Sequence, residues 1–176
     1  MRIAICPGSF DPITLGHLDI IRRASLLFDL VIVAVTVNPN KTPSFSVEER
    51  VELVRRCTES FSNVQADCCD GLLADYAKEK NACALVKGLR AVTDFEYEFQ
   101  MALINKQLNP ELETVFMTTS SAYMYLSSSA VRQVAGYGGD VSQFVPPQIL
   151  EDVVSRFSAE RSQNNERECK RPTQHD

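Results

Sequence analysis

Ile3-Ala4-Ile5-Cys6-Pro7-Gly8-Ser9-Phe10-Asp11-Pro12-Ile13-Thr14-Leu15-Gly16-His17 is the stretch on which the architecture turns. Four apolar residues run into Pro-Gly, and a short polar loop then leads to an amphipathic segment. The pattern predicts a buried strand over Ile3–Cys6 and a helix beginning near Thr14, a good N-cap residue. Over Gly16–Phe28 the apolar residues Ile20, Ile21, Ala24, Leu27 and Phe28 recur at helical spacing. Gly16 and His17 then fall in the first turn, where backbone N–H groups lack intrahelical partners and the helix dipole favours anions. Gly8 and Gly16 allow a phosphate to approach the main chain closely.

The same alternation continues along the chain. Further strands are predicted at Leu30–Val37, Val64–Ala66, Ala84–Val86 and Thr114–Met117. Leu30–Val37 is nearly continuous in Val, Ile and Ala, as in a strand buried on both faces of a parallel sheet. Between the strands, Ser46 and Glu49 form a capping box for one helix, and Thr93 and Glu96 form another for a long helix through Leu108. Shorter helices are predicted at Leu72–Lys80, Ser128–Ala135 and Pro147–Phe157. Repeated β-α-β units predict an α/β fold: a single-domain, Rossmann-like, doubly wound parallel β-sheet with helices on both faces. Ligands in such sheets bind at the carboxyl ends of the strands, where the topology switches. Residues 1–157 form this domain, and the polar segment 158–176 is expected to be a mobile tail.

Composition narrows the function. The net charge of −5 argues against general affinity for nucleic acid or an anionic membrane surface. No run of about 18 apolar residues is present to span a bilayer. The N-terminal apolar stretch is too short for a signal peptide, so a cytoplasmic location is expected. The six cysteines form no C-x-x-C pair, and only two histidines could join them. No protein metal site is expected, and the thiols read as reduced small hydrophobes.

Three further segments carry candidate chemistry. Asn38-Pro39-Asn40-Lys41 follows the second strand at the ligand-bearing edge, where Lys41 could reach a phosphate. Lys87-Gly88-Leu89-Arg90 follows the fourth strand, and two cations around a glycine suit a polyanion clamp. In the helix beyond, Asp94 and Glu96 read as charges complementing the dipole, whereas Glu98 lies deep enough to meet a ligand. Tyr123-Met124-Tyr125-Leu126-Ser127-Ser128-Ser129 ends in three serines before an apolar helix, where one would suffice as a cap. A second phosphate-binding helix start is expected there. His17 alone could be a structural histidine bonded to a carbonyl, but its place beside an anion site favours a ligand role.

The T-x-G-H arrangement after a strand and G-S-F resembles the nucleotidylyltransferase superfamily. With N-P-N-K-x-P-x-F, K-G-L-R-A-V-T-D-F-E-Y-E-F and L-S-S-S-A-V-R, the chain resembles bacterial phosphopantetheine adenylyltransferases from Met1 to about Phe157. The resemblance implies transfer of an adenylyl group from ATP to 4′-phosphopantetheine, late in coenzyme A biosynthesis, with His17 stabilising the transition state. It places the acceptor on Ser9, Lys41, Leu73 and Lys87. It places ATP on Ser9, Phe10, His17, Gly88, Leu89, Arg90 and Glu98, and on the stretch Tyr123, Met124, Tyr125, Leu126, Ser127, Ser128 and Ser129. It also implies a homohexamer and Mg²⁺ carried on the ATP phosphates. Ser9 and Lys87 stand where threonine and arginine are frequent in the family. Two alternatives share much of the pattern: a relative acting on nicotinate mononucleotide or on glycerol phosphate with CTP, and a non-catalytic nucleotide-binding regulator.

Overall fold

The computed structural model describes residues 1–37 and 42–169. Five strands, β1 (Ile3–Gly8), β2 (Leu30–Thr36), β3 (Val64–Cys69), β4 (Ala84–Leu89) and β5 (Glu113–Thr118), form one sheet in the order β3-β2-β1-β4-β5. All pairings are parallel. The helices are α1 (Leu15–Ser25), α2 (Val47–Thr58), α3 (Leu73–Glu79), α4 (Val92–Leu108), α5 (Ser128–Gly136) and α6 (Leu150–Cys169). Short 3₁₀ turns lie at Ser121–Tyr123 and Pro147–Ile149.

Side-chain alternation along each strand splits the core into two layers. Ala4, Cys6, Val31, Val33, Val35 and Val86 pack on one face of the sheet, with Ile13, Ile21 and Val131. Ile3, Ile5, Ile32, Ala34 and Leu85 pack on the other, with Ala77 and Leu112. Each fully buried aliphatic side chain contributes about 1.5–3 kcal/mol. β1 and β4 are neighbours in space but far apart in sequence, so the chain reverses its winding between them. A crevice at their carboxyl ends is where such folds bind ligands.

The predicted fold class and strand set are those observed, but several boundaries differ; β1, for one, runs on to Gly8, which pairs with Val35. β4 runs on to Leu89 because Lys87, Gly88 and Leu89 pair with Phe116, Met117 and Thr118. These residues therefore belong to the sheet and not to a loop. β3 likewise extends to Cys69, opposite Thr36. α1 ends at Ser25, which leaves Leu27 half exposed instead of on its apolar stripe. α4 starts at Val92 with Ala91 at the N-cap and no side-chain cap there, so the N-cap is not at Thr93 as the Thr93/Glu96 pattern predicts. An earlier helix start places Thr93 inside the first turn, and the Asp94 carboxylate instead accepts the Arg90 backbone N–H. The Ser46/Glu49 box is present as expected.

α6 continues past Phe157 to Cys169. No Gly or Pro interrupts the sequence there until Pro172, and Glu, Arg, Gln and Ala are compatible with helix. The tail expected from residue 158 thus begins as helix, and residues 170–176 lie outside the described residues.

Candidate active site

The first turn of α1 is built around His17. Thr14 Oγ1 accepts the His17 backbone N–H at 3.3 Å, and the Thr14 backbone N–H donates to His17 Nδ1 at 3.1 Å. This is a reciprocal capping box in which an imidazole replaces the usual glutamate. Because Nδ1 accepts a hydrogen bond, a neutral ring carries its proton on Nε2. Nε2 has no partner among the described residues, and none of their side-chain nitrogens or oxygens is both buried and unpaired. Nε2–H is therefore an open donor. The Phe10 ring meets His17 edge-to-face, with centroids 5.2 Å apart, and limits its rotation.

Burial, reinforced by the nearby Arg90 charge, lowers the His17 pKa from 6.5 to about 4. The ring is neutral at pH 7 and remains a donor through Nε2. The folded pKa lies below that of the unfolded chain, so the unfolded chain takes up this proton first as pH falls. Stability from this group is complete above about pH 6.5 and is lost as pH falls towards 4. An NMR titration of the His17 ring should give a midpoint near 4, and a midpoint at 6 or above would contradict the assignment.

The helix start is less open than its sequence suggests. The Leu15 N–H donates to Phe144 O at 3.0 Å, and the Leu18 N–H closes the first helical bond to Thr14 O. With the His17 N–H on Thr14, the Gly16 N–H alone remains for an anion. A Cβ on Gly16 would lie 3.4 Å from Tyr123 Cβ, so the Tyr123 segment rests directly on this turn.

β4 delivers the cations. Lys87 Nζ lies 3.1 Å from Glu98 Oε2, which gives Glu98 a partner within the protein. Arg90 is held by Asp94, with Nε 3.1 Å from Oδ2, and donates to Leu126 O at 3.0 Å. Asp94 therefore orients Arg90 in addition to opening α4. Leu89 ends the strand beside it. Gly88 has a packing reason to be glycine, since a Cβ there would stand 2.9 Å from Ile20 Cγ1. Gly88→Ala should cost about 1–3 kcal/mol through overpacking. In urea unfolding Gly88→Ala should cost less in an Ile20→Ala background, which lacks that γ carbon, and an equal cost in both backgrounds would refute the packing explanation.

The serine cluster is engaged as well as exposed. Ser127 Oγ caps α5 by accepting the Ala130 N–H at 3.0 Å, and Ser128 Oγ donates to Pro12 O at 2.8 Å. Ser129 Oγ accepts from Arg132 at 3.2 Å. Ser128 thus ties α5 to the first loop, Ser127 and Ser129 bond to residues of α5 itself, and the helix start offers an anion chiefly its first backbone N–H groups. Met124 and Tyr125 are exposed between this start and Gly16, whereas Leu126 is buried.

Ser9 is exposed on the first loop, and Leu73 is the first residue of α3, beyond the carboxyl end of β3. Lys41 lies outside the described residues. Two residues without a predicted role help frame the site. Arg50 is buried and donates to Ser9 O at 2.8 Å and Thr36 O at 3.3 Å. Asp11, also buried, accepts from the Ser44 and Phe45 backbone N–H groups and from Arg132.

Residues 5–134 match the cytidylyltransferase-like family. The chain is 57% identical over 157 residues to the phosphopantetheine adenylyltransferase of Caldanaerobacter subterraneus subsp. tengcongensis, covering 89% of this chain and 98% of that one. The chain belongs to the phosphopantetheine adenylyltransferase family. A second member, from Alkaliphilus metalliredigens, is 58% identical over 151 residues, which is 86% of this chain and 96% of that one. A bifunctional NMN adenylyltransferase/ADP ribose pyrophosphatase structure from Francisella tularensis superposes with a TM-score of 0.69 at 16% identity. It covers 99% of this chain and 58% of that longer one, and the likeness is one of fold.

Proposed function

We infer that this protein transfers an adenylyl group from ATP to 4′-phosphopantetheine, giving dephospho-coenzyme A and pyrophosphate. The observation that carries this reading is the near-full-length identity with phosphopantetheine adenylyltransferases. The site geometry supports the chemistry. A phosphate monoester with a second pKa of about 6 is largely a dianion at neutral pH. The acceptor needs no protein nucleophile, only alignment with the α-phosphorus and relief of the charge that develops there.

A neutral His17 presenting Nε2–H suits that task, because it donates to a phosphate oxygen without first losing a proton. On this reading Lys41 and Lys87 hold the acceptor phosphate, with Ser9 and Leu73 lining its site. Glu98 exchanges its bond to Lys87 for a contact with bound ATP. Arg90, fixed by Asp94, and the amides at the start of α5 face the departing pyrophosphate. Among the described residues no group of three His, Cys, Asp or Glu side chains could hold a metal ion. Mg²⁺ would arrive on the ATP phosphates, where it would offset the charge of the leaving group.

A homohexamer fits α4, which exposes Val92, Phe95, Tyr97, Phe99, Leu103, Ile104 and Leu108. So much apolar surface on one helix is unusual for a monomer. Sedimentation should give about six times the 19.7 kDa chain mass, and a monomer would refute this assembly. Among the described residues no helix is long and apolar enough to cross a membrane. Mass spectrometry of reactions containing ATP and 4′-phosphopantetheine should detect dephospho-coenzyme A. Product from nicotinate mononucleotide or from glycerol phosphate and CTP, with none from phosphopantetheine, would overturn the acceptor. No product from any donor and acceptor would favour a nucleotide-binding regulator.

A further inference from the structure

We propose that Asp11 is a positioning residue for adenylyl transfer, fixing the β1–α1 loop that leads into His17 against the Ser44–Phe45 segment and the start of α5. The proposal rests on the function inferred above. Asp11 is 4% exposed and lies in the β1–α1 loop, six positions before His17 in the first turn of α1. Its Oδ1 accepts the Phe45 N–H at 3.0 Å, and its Oδ2 accepts the Ser44 N–H at 3.1 Å. Arg132 Nη1 donates to Oδ2 at 3.1 Å and to the Asp11 backbone carbonyl at 2.7 Å. One carboxylate therefore joins the β1–α1 loop, the segment entering α2, and α5.

Neighbouring contacts stiffen the same junction. Arg156 of α6 donates to Ser44 O, and its guanidinium lies 4.5 Å from the centre of the Phe45 ring. Ser128 Oγ holds Pro12 O. Phe10, adjacent to Asp11, packs its ring on the imidazole. Displacement of Asp11 would therefore reach His17 through one intervening side chain.

All the donors around the carboxylate are N–H groups, so only a group that accepts at both oxygens satisfies them. Asn has nearly the same shape but would aim an NH₂ group at one of these donors. In Asp11→Asn, kcat per folded site should fall about 10²-fold, the scale of a misplacement near 1 Å. The KM for ATP should change by less than about three-fold, because the groups facing the nucleotide are retained. Arg132→Gln should give a smaller loss of the same kind, and Arg132→Lys should recover part of it by restoring a cation beside Oδ2. The double variant Asp11→Asn/Arg132→Gln should lose no more than Asp11→Asn alone, since the two act as one unit.

Folded sites are counted by ATP titration, and kcat is measured well below the melting temperature. Unchanged kcat per folded site with only a lower melting temperature would make Asp11 merely structural and overturn the proposal. Independent, multiplying losses in the double variant would overturn it too. If Asp11→Asn does not fold, Arg132→Gln against Arg132→Lys decides: equal kcat in the two refutes the positioning role. Failure of the unsubstituted protein to form dephospho-coenzyme A would instead refute the function itself.

Discussion

His17→Ala should lower kcat by about 10²- to 10³-fold, the usual effect of removing one preorganised transition-state donor. The expectation follows from the state of the ring. Nδ1 is occupied by the Thr14 N–H, the proton lies on Nε2, and a pKa near 4 keeps the ring neutral at working pH. A donor fixed in this way strengthens its bond as charge builds on the α-phosphate and adds little to ground-state binding. ATP affinity, measured by calorimetry, should therefore change far less than kcat. Alanine also removes half of the capping box, which costs at most about 1 kcal/mol of stability and leaves the protein folded. Weakened ATP binding with kcat intact would reject the catalytic role.

Arg50→Ala should destabilise the protein by about 3 kcal/mol, from lost hydrogen bonds made by a charged group together with the space left behind. The guanidinium reaches Ser9 O at 2.8 Å, Thr36 O at 3.3 Å and, through Nε, Ser46 O at 3.3 Å. It thereby joins the loop after β1, the end of β2 and the cap of α2 from a position only 3% exposed. Arg50→Met should recover the part due to volume and none of the part due to bonding. Urea unfolding with an unchanged denaturant slope measures both. A change below about 1 kcal/mol for the alanine variant would show that solvent replaces these bonds at little cost.

The central strands were legible because they are buried on both faces, and such segments write themselves as unbroken apolar runs, as in Leu30–Thr36, whereas the edge strands β3 and β5 are only partly buried. Strand ends were not legible where function intrudes. Lys87-Gly88 breaks the apolar run of β4, yet pairing with β5 continues through it. The Thr93/Glu96 pattern imitates a cap, but the Arg90–Asp94 contact accompanies a helix start two residues earlier.

The candidate site divides similarly. His17 was legible from T-x-G-H, whereas its tautomer depends on a 3.1 Å contact that no spacing rule contains. Arg50 did leave a trace, since it shares the helical stripe of Val47, Val54 and Cys57, where an unpaired charge would be costly. Asp11 left none. Its partners lie 33, 34 and 121 positions away, and only the folded chain brings them together.

Attack by the acceptor phosphate on the α-phosphorus of ATP fixes where each phosphorus atom ends, and isotope labelling reads that position. With ATP labelled at the α-phosphorus, the label should appear in dephospho-coenzyme A. With ATP labelled at the γ-phosphorus, it should leave entirely as pyrophosphate. A γ-label found on the acceptor, or an α-label recovered only in ADP, would contradict the account.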